Sequence, residues 1–204
     1  MSSLTRDQKI ALFGILLPST IAIIGILATV FADEIRAWFI SAEVSGSSQT
    51  LKPKSVWASD VGNPSQDAAY QTITYEAERA VDGRLDTAWL VEGSGINEYI
   101  HLDFGTPVRI SSIQLVPGYA KVDPRDHTNR FFQMRRVLRV RFEFSDGSGK
   151  EEAFEEKPEL QSSTFKPIVS TFVRIVILET TSAPSDPVFD RTPISEIVVI
   201  GKTQ

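Results

Sequence analysis

Residues 136–144 place Leu138, Val140, Phe142 and Phe144 on one side of the chain and Arg139, Arg141 and Glu143 on the other. Only an extended strand turns a period of two into one apolar and one charged face; a helix would scatter the same residues around its circumference. Residues 99–104 repeat the pattern, with Ile100, Leu102 and Phe104 facing inward and Tyr99, His101 and Asp103 outward. Further strands are expected at 108–116, 151–154, 164–168, 172–178 and 194–200. Turn signals separate them: Gly105-Thr106-Pro107, Pro117-Gly118 and the hairpin link Ser145-Asp146-Gly147-Ser148-Gly149. No long amphipathic helix follows residue 50. A series of short strands with such turns predicts an all-β antiparallel sandwich or barrel.

The N-terminal part is of another kind. Residues 10–32 carry no charge and are almost wholly apolar, enough to cross a hydrocarbon layer about 30 Å thick as a helix. One transmembrane helix is therefore expected, kinked at Pro18. Arg6 and Lys9 before it, against Asp33, Glu34 and Arg36 after it, put residues 1–9 in the cytoplasm. The rest then lies outside the plasma membrane, extracellular or periplasmic, as a single-pass protein. Residues 33–55 read as an interfacial collar with Trp38, followed by a flexible Ser- and Gly-containing stalk. Residues 56–204 form the domain. A cleaved signal peptide ending near Val30-Phe31-Ala32 is the alternative, although the apolar run is long for one.

Composition narrows the function. The formal charge of −5 gives no basic footprint, so nucleic acid is not an expected partner. With no cysteine, disulfides, thiolate catalysis and cysteine zinc sites are excluded. The only histidines, His101 and His127, belong to no serine elbow or metal-ligand spacing. Residues 92–98 contain Gly93-Ser94-Gly95 but lack the Lys-Ser/Thr of a phosphate loop, and a strand pattern follows. No enzyme is expected.

Two stretches carry candidate sites. In residues 80–89, Asp82-Gly83 marks a tight turn, Asp82, Asp86 and Thr87 supply hard oxygens suited to Ca²⁺, and Trp89 offers an apolar anchor. The same acids equally serve as turn caps. Residues 118–130 are long and polar, and Tyr119, Lys121, Arg125, His127, Asn129 and Arg130 compose an aromatic and cationic rim of the kind that binds sugars. The alternative is a solvated loop in which Asn129 and Arg130 lock the chain to the sandwich. Phe131-Phe132 reads as core.

The ordered set of residues 80–89, then Tyr99-Ile100-His101-Leu102-Asp103-Phe104-Gly105, then Pro117-Gly118-Tyr119, then Thr192-Pro193-Ile194-Ser195-Glu196-Ile197 resembles the discoidin, or coagulation-factor type C, domain of the galactose-binding-like superfamily. The nearest variant is similar to the glycan-binding domain attached to bacterial NAD-glycohydrolase toxins, through Gly118-Tyr119-Ala120-Lys121 and Asn129-Arg130. The resemblance covers about residues 56–201. It departs in lacking a terminal cysteine pair and in having Asn97 where a glycine is more usual. It implies a jelly-roll sandwich that binds glycans, lipids or proteins through loops at one end. It also implies a structural Ca²⁺ held by Asp82, Asp86, Thr87 and Glu196. Glu196 stands in an apolar stretch, where a carboxylate needs a cation or hydrogen bonds to offset desolvation. The expected function is a non-catalytic glycan-binding module at the cell surface; the alternative is an accessory subunit whose sandwich docks on a partner membrane protein.

Overall fold

A computed structural model describes residues 48–66, 70–123 and 127–204. The expected membrane helix, the collar and Arg125 lie outside them. Among the described residues no helix is long and apolar enough to cross a membrane.

The described chain is all β. Its strands are β1 (Gln49–Leu51), β2 (Ser55–Ala58), β3 (Ser65–Gln66), β4 (Thr72–Ile73), β5 (Trp89–Glu92), β6 (Tyr99–Leu115), β7 (Val137–Phe144), β8 (Gly149–Ala153), β9 (Gln161–Thr180), β10 (Arg191–Ile194) and β11 (Ile197–Thr203). Short 3₁₀ turns occupy Ala77–Ala80, Arg130–Phe132 and Pro187–Phe189. The main sheet runs β1-β11-β6-β9-β7-β8 with β2 also on β6, and β10-β5 and β3-β4 are separate ribbons. Every pairing is antiparallel.

β6 and β9 merge what the sequence presents as four strands. The Gly105-Thr106-Pro107 segment bends the chain without reversing it. Residues 99–103 pair with β2 and the second half of β9, whereas residues 108–115 pair with β11 and the first half of β9. The β6–β9 register breaks between Asp103 and Val108, where Gly105 takes φ +73°. Strands that bend at such breaks pass from one layer of a sandwich to the other. Accordingly Ile100 and Leu102 from one half share a core with Ile110 and Ile113 from the other.

Four further expectations are corrected. Residues 49–51, expected in the stalk, form β1, which pairs with β11 and buries Leu51. The strand expected over 194–200 is two strands separated by Ser195-Glu196. In β7 the register slips between Val137, Arg139 and Val140, so Val137 is buried while Leu138 is only partly so. His101, expected on a polar face, is buried: Trp57 stacks on it at 4.0 Å and Phe172 at 4.6 Å, and its Nδ1 has no partner among the described residues. Alternation identifies a face but not what covers it.

At Gly201 a side chain has no room. The β6–β11 register shifts between Ile200 and Gly201, and a Cβ there would lie 2.1 Å from the carbonyl oxygen of Arg109. Gly201→Ala must push apart two hydrogen-bonded strands, and is expected to destabilise the fold by at least ~1–3 kcal/mol, read as a lower urea midpoint. Gly83→Ala, with nothing near its Cβ, meets only the strain of a φ of +78°.

Candidate functional site

The turn at residues 80–89 is fixed from below by Trp89. Its ring is fully buried at the start of β5, and its indole N–H donates to the carbonyl oxygen of Asp60 at 2.9 Å. Above it, Asp82 acts as a local organiser. One carboxylate oxygen accepts the backbone N–H of Arg84 at 3.0 Å and the hydroxyl of Thr87 at 2.9 Å. Because β10 and β11 are interrupted at Ser195-Glu196, the Glu196 side chain reaches this turn and accepts the N–H of Gly83 at 3.0 Å. Glu196 is only 5% exposed and has no arginine partner among the described residues. Burial pushes its carboxyl up to about 7, and the nearby Asp82 charge adds to this against the N–H groups of Gly83 and Arg84.

Of the four oxygen-bearing residues expected around a cation, Asp82, Thr87 and Glu196 come together on the Gly83 turn. Asp86 does not join them. Its carboxylate turns outward into a two-point pair with Arg84, at 3.1 and 2.9 Å. Among the described residues no group of three or more acids and histidines is placed to hold a metal. A cation here would have two carboxylates and would draw its remaining oxygens from Thr87 and backbone carbonyls, a donor set calcium accepts.

The second candidate lies on the loops next to that turn. Residues 117–121 are stitched to the β10–β11 interruption: Gly118 accepts the Ser195 N–H at 3.1 Å and Ala120 donates to Ser195 Oγ at 3.0 Å. Beside them is a groove of 370 Å³, walled by the β3–β4 ribbon, residues 119–123 and 130–134, and the 187–191 segment. The 187–191 wall is held in place by an Arg135–Asp190 ion pair at 2.5 Å and an Arg191–Glu92 pair at 3.1 Å. A second hollow of 210 Å³ adjoins it, and Ile73, Tyr119 and Lys121 line both.

The six expected rim residues separate here. Tyr119 is a wall, 3% exposed, with its ring edge-on to Tyr75 and its hydroxyl donating to the Asp86 carbonyl at 3.2 Å. It is thus a buried wall and not the exposed aromatic of the expected rim, and burial raises its pKa well above the usual phenol. Asn129 caps the 3₁₀ turn by accepting the Phe131 N–H at 3.0 Å. Arg130 joins Asp123 at 2.9 Å and Gln133 at 2.6 Å while lining the groove. Lys121 lines both hollows with no ion pair among the described residues. His127 is exposed with φ +57° and lines neither, and Arg125 is outside the described residues. Phe131 is core as expected, whereas Phe132 is 61% exposed.

Gln66, Tyr75, Phe189 and Arg191 also line the groove and were not singled out by sequence. The one signal that pointed toward them was the pair Val188-Phe189 set among Asp186, Pro187 and Asp190, an apolar spot inside a turn. Tyr70, in the β3–β4 loop, is 83% exposed with φ +59°, a strained place for an aromatic residue.

Comparison with solved structures gives the same fold at low identity. The family 32 carbohydrate-binding module of NanJ from C. perfringens, solved with galactose, is 17% identical with a TM-score of 0.52, covering 76% of this chain and 99% of that one. A glycoside hydrolase is 18% identical with a TM-score of 0.50, covering 75% of this chain and 32% of that one. A truncated AlyQ with CBM32 and alginate lyase domains is 17% identical with a TM-score of 0.49, covering 78% and 34%. This chain thus spans about a third of the length of the glycoside hydrolase and of the truncated AlyQ. No curated protein sequence matches it. The family model of the NAD glycohydrolase translocation F5/8 type C domain matches residues 54–200, from β2 into β11, and the chain belongs to that family.

Proposed function

We propose that the protein is a non-catalytic module that binds a glycan in the 370 Å³ groove, held outside a plasma membrane by a single helix at residues 10–32. The carrying observation is the composition of the groove. Tyr75, Tyr119, Met134 and Phe189 supply apolar wall, while Gln66, Lys121 and Arg191 bring polar groups to the same space. Saccharides need both, a ring face against carbon and hydroxyls against fixed donors and acceptors. The anchoring rests on the uncharged run in the sequence. A calcium ion at Asp82, Thr87 and Glu196 is part of the proposal; it would neutralise a buried carboxylate and stiffen the turn beside the groove.

Gln66 offers a clean test, since its side chain is exposed, lines the groove and has no partner among the described residues. Gln66→Ala in the full chain is expected to weaken binding on a glycan array by about tenfold, the equivalent of one good hydrogen bond, with an unchanged melting temperature. Array binding untouched by this change would move the ligand elsewhere. An empty array together with a stoichiometric membrane-protein partner in mild detergent would replace the glycan reading with a docking one.

A further inference from the structure

We propose that the saccharide bound here is an anionic one, whose carboxylate or sulfate sits at Lys121 where the two hollows meet; this rests on the glycan reading above. Lys121, Arg130 and Arg191 line the larger hollow, and Arg79, Arg84 and again Lys121 line the smaller. Among the described residues two carboxylates share these walls. Asp123 is engaged by Arg130 at 2.9 Å, and Asp86 is engaged at two points by Arg84. Arg191 is balanced by Glu92 at 3.1 Å, and Arg79 only loosely by Asp82 at 3.9 Å. That leaves Lys121 as the ammonium without an ion pair among the described residues, at the one place open to both hollows.

The setting makes this informative. The whole chain carries −5, so a concentration of five cations around one pair of hollows opposes its general charge. A concave cationic patch on an acidic protein attracts anions locally while repelling them elsewhere. Arg130, Arg191 and Arg84 are already paired with carboxylates, which leaves the flexible lysine to meet the ligand's charge. A neutral sugar would offer that ammonium hydroxyl acceptors but no opposite charge. Tyr119, between the hollows, stays un-ionised because it is buried, so it adds no negative charge to the site.

The experiment is calorimetric titration of the full chain with matched saccharide pairs, a uronic-acid oligosaccharide against its carboxyl-reduced form and a sulfated one against its desulfated form. The anionic member is expected to bind about tenfold more tightly, with the advantage shrinking as salt is added. Lys121→Gln should abolish most of the advantage and Lys121→Arg should keep it; the pair with the larger gap identifies carboxylate or sulfate. Equal affinity within both pairs overturns the charge inference and leaves glycan binding intact. A preference indifferent to Lys121→Gln overturns its assignment to this site. Absence of binding to every member overturns the glycan reading as well.

Discussion

Trp89→Ala is expected to lower the stability of the domain by about 3–5 kcal/mol, or by about 6–20 °C in melting temperature. The ring is fully buried and belongs to the main core cluster with Val91, Ile100 and Ile194. Its removal forfeits the transfer free energy and leaves a cavity that two bracing strands cannot close, because β5 is already paired with β10 through Trp89 and Ile194. The Asp60 carbonyl also loses its indole donor. A domain of this size commonly has only about 5–15 kcal/mol in hand. Trp57→Ala is the control: that ring is 44% exposed and stacks from outside on His101, so its loss should be much smaller. Denaturant titration compares the two, and near-equal midpoints would contradict the placement of Trp89 as the turn's anchor.

Raising the pH from 5 to 8 in the presence of a chelator is expected to destabilise the domain, through Glu196. The folded carboxyl is held at about 7 against an ordinary 4.5, so the folded chain retains its proton longer than the unfolded one does. The contribution of protonated Glu196 is therefore complete below about 4.5 and is lost as the pH rises through about 7. The full shift corresponds to about 3 kcal/mol, and solvent screening brings the expectation to about 1–3 kcal/mol. Glu196→Gln should flatten this slope and, without metal at pH 8, melt higher than the parent. Calcium at pH 8 should raise the melting temperature of the parent and leave the variant unmoved. A parent indifferent to calcium at pH 8 removes the cation from the proposal while the pH slope stands on the buried carboxyl alone.

The strand pattern was legible because alternation is local. Val140, Phe142 and Phe144 point inward as their spacing requires. The Gly83 turn was legible for the same reason, since Asp and Gly state their backbone preferences one residue at a time. What the sequence could not display is whether Gly105-Thr106-Pro107 reverses the chain or bends it. That depends on β2, β9 and β11 competing for the edges of β6, partners remote in sequence. Burial of His101 has the same origin, because Trp57 and Phe172 cover it from other strands. In the candidate site, Tyr119 and Lys121 were visible as residue types in a polar loop. Gln66 and Arg191 were not, since neither is unusual until folding brings the β3–β4 ribbon and the 187–191 segment to opposite walls of one groove.

The pairing of β1 with β11 sets an order of events for the nascent chain. Gln49 meets Gly201 and Leu51 meets Val199, so the earliest strand of the domain to leave the ribosome must wait about 150 residues for its mate. Until then the rest of the sheet can assemble without it. A three-residue strand added at an edge closes last and reopens first, so a pull on the chain at Gln49 would peel this latch before disturbing the groove.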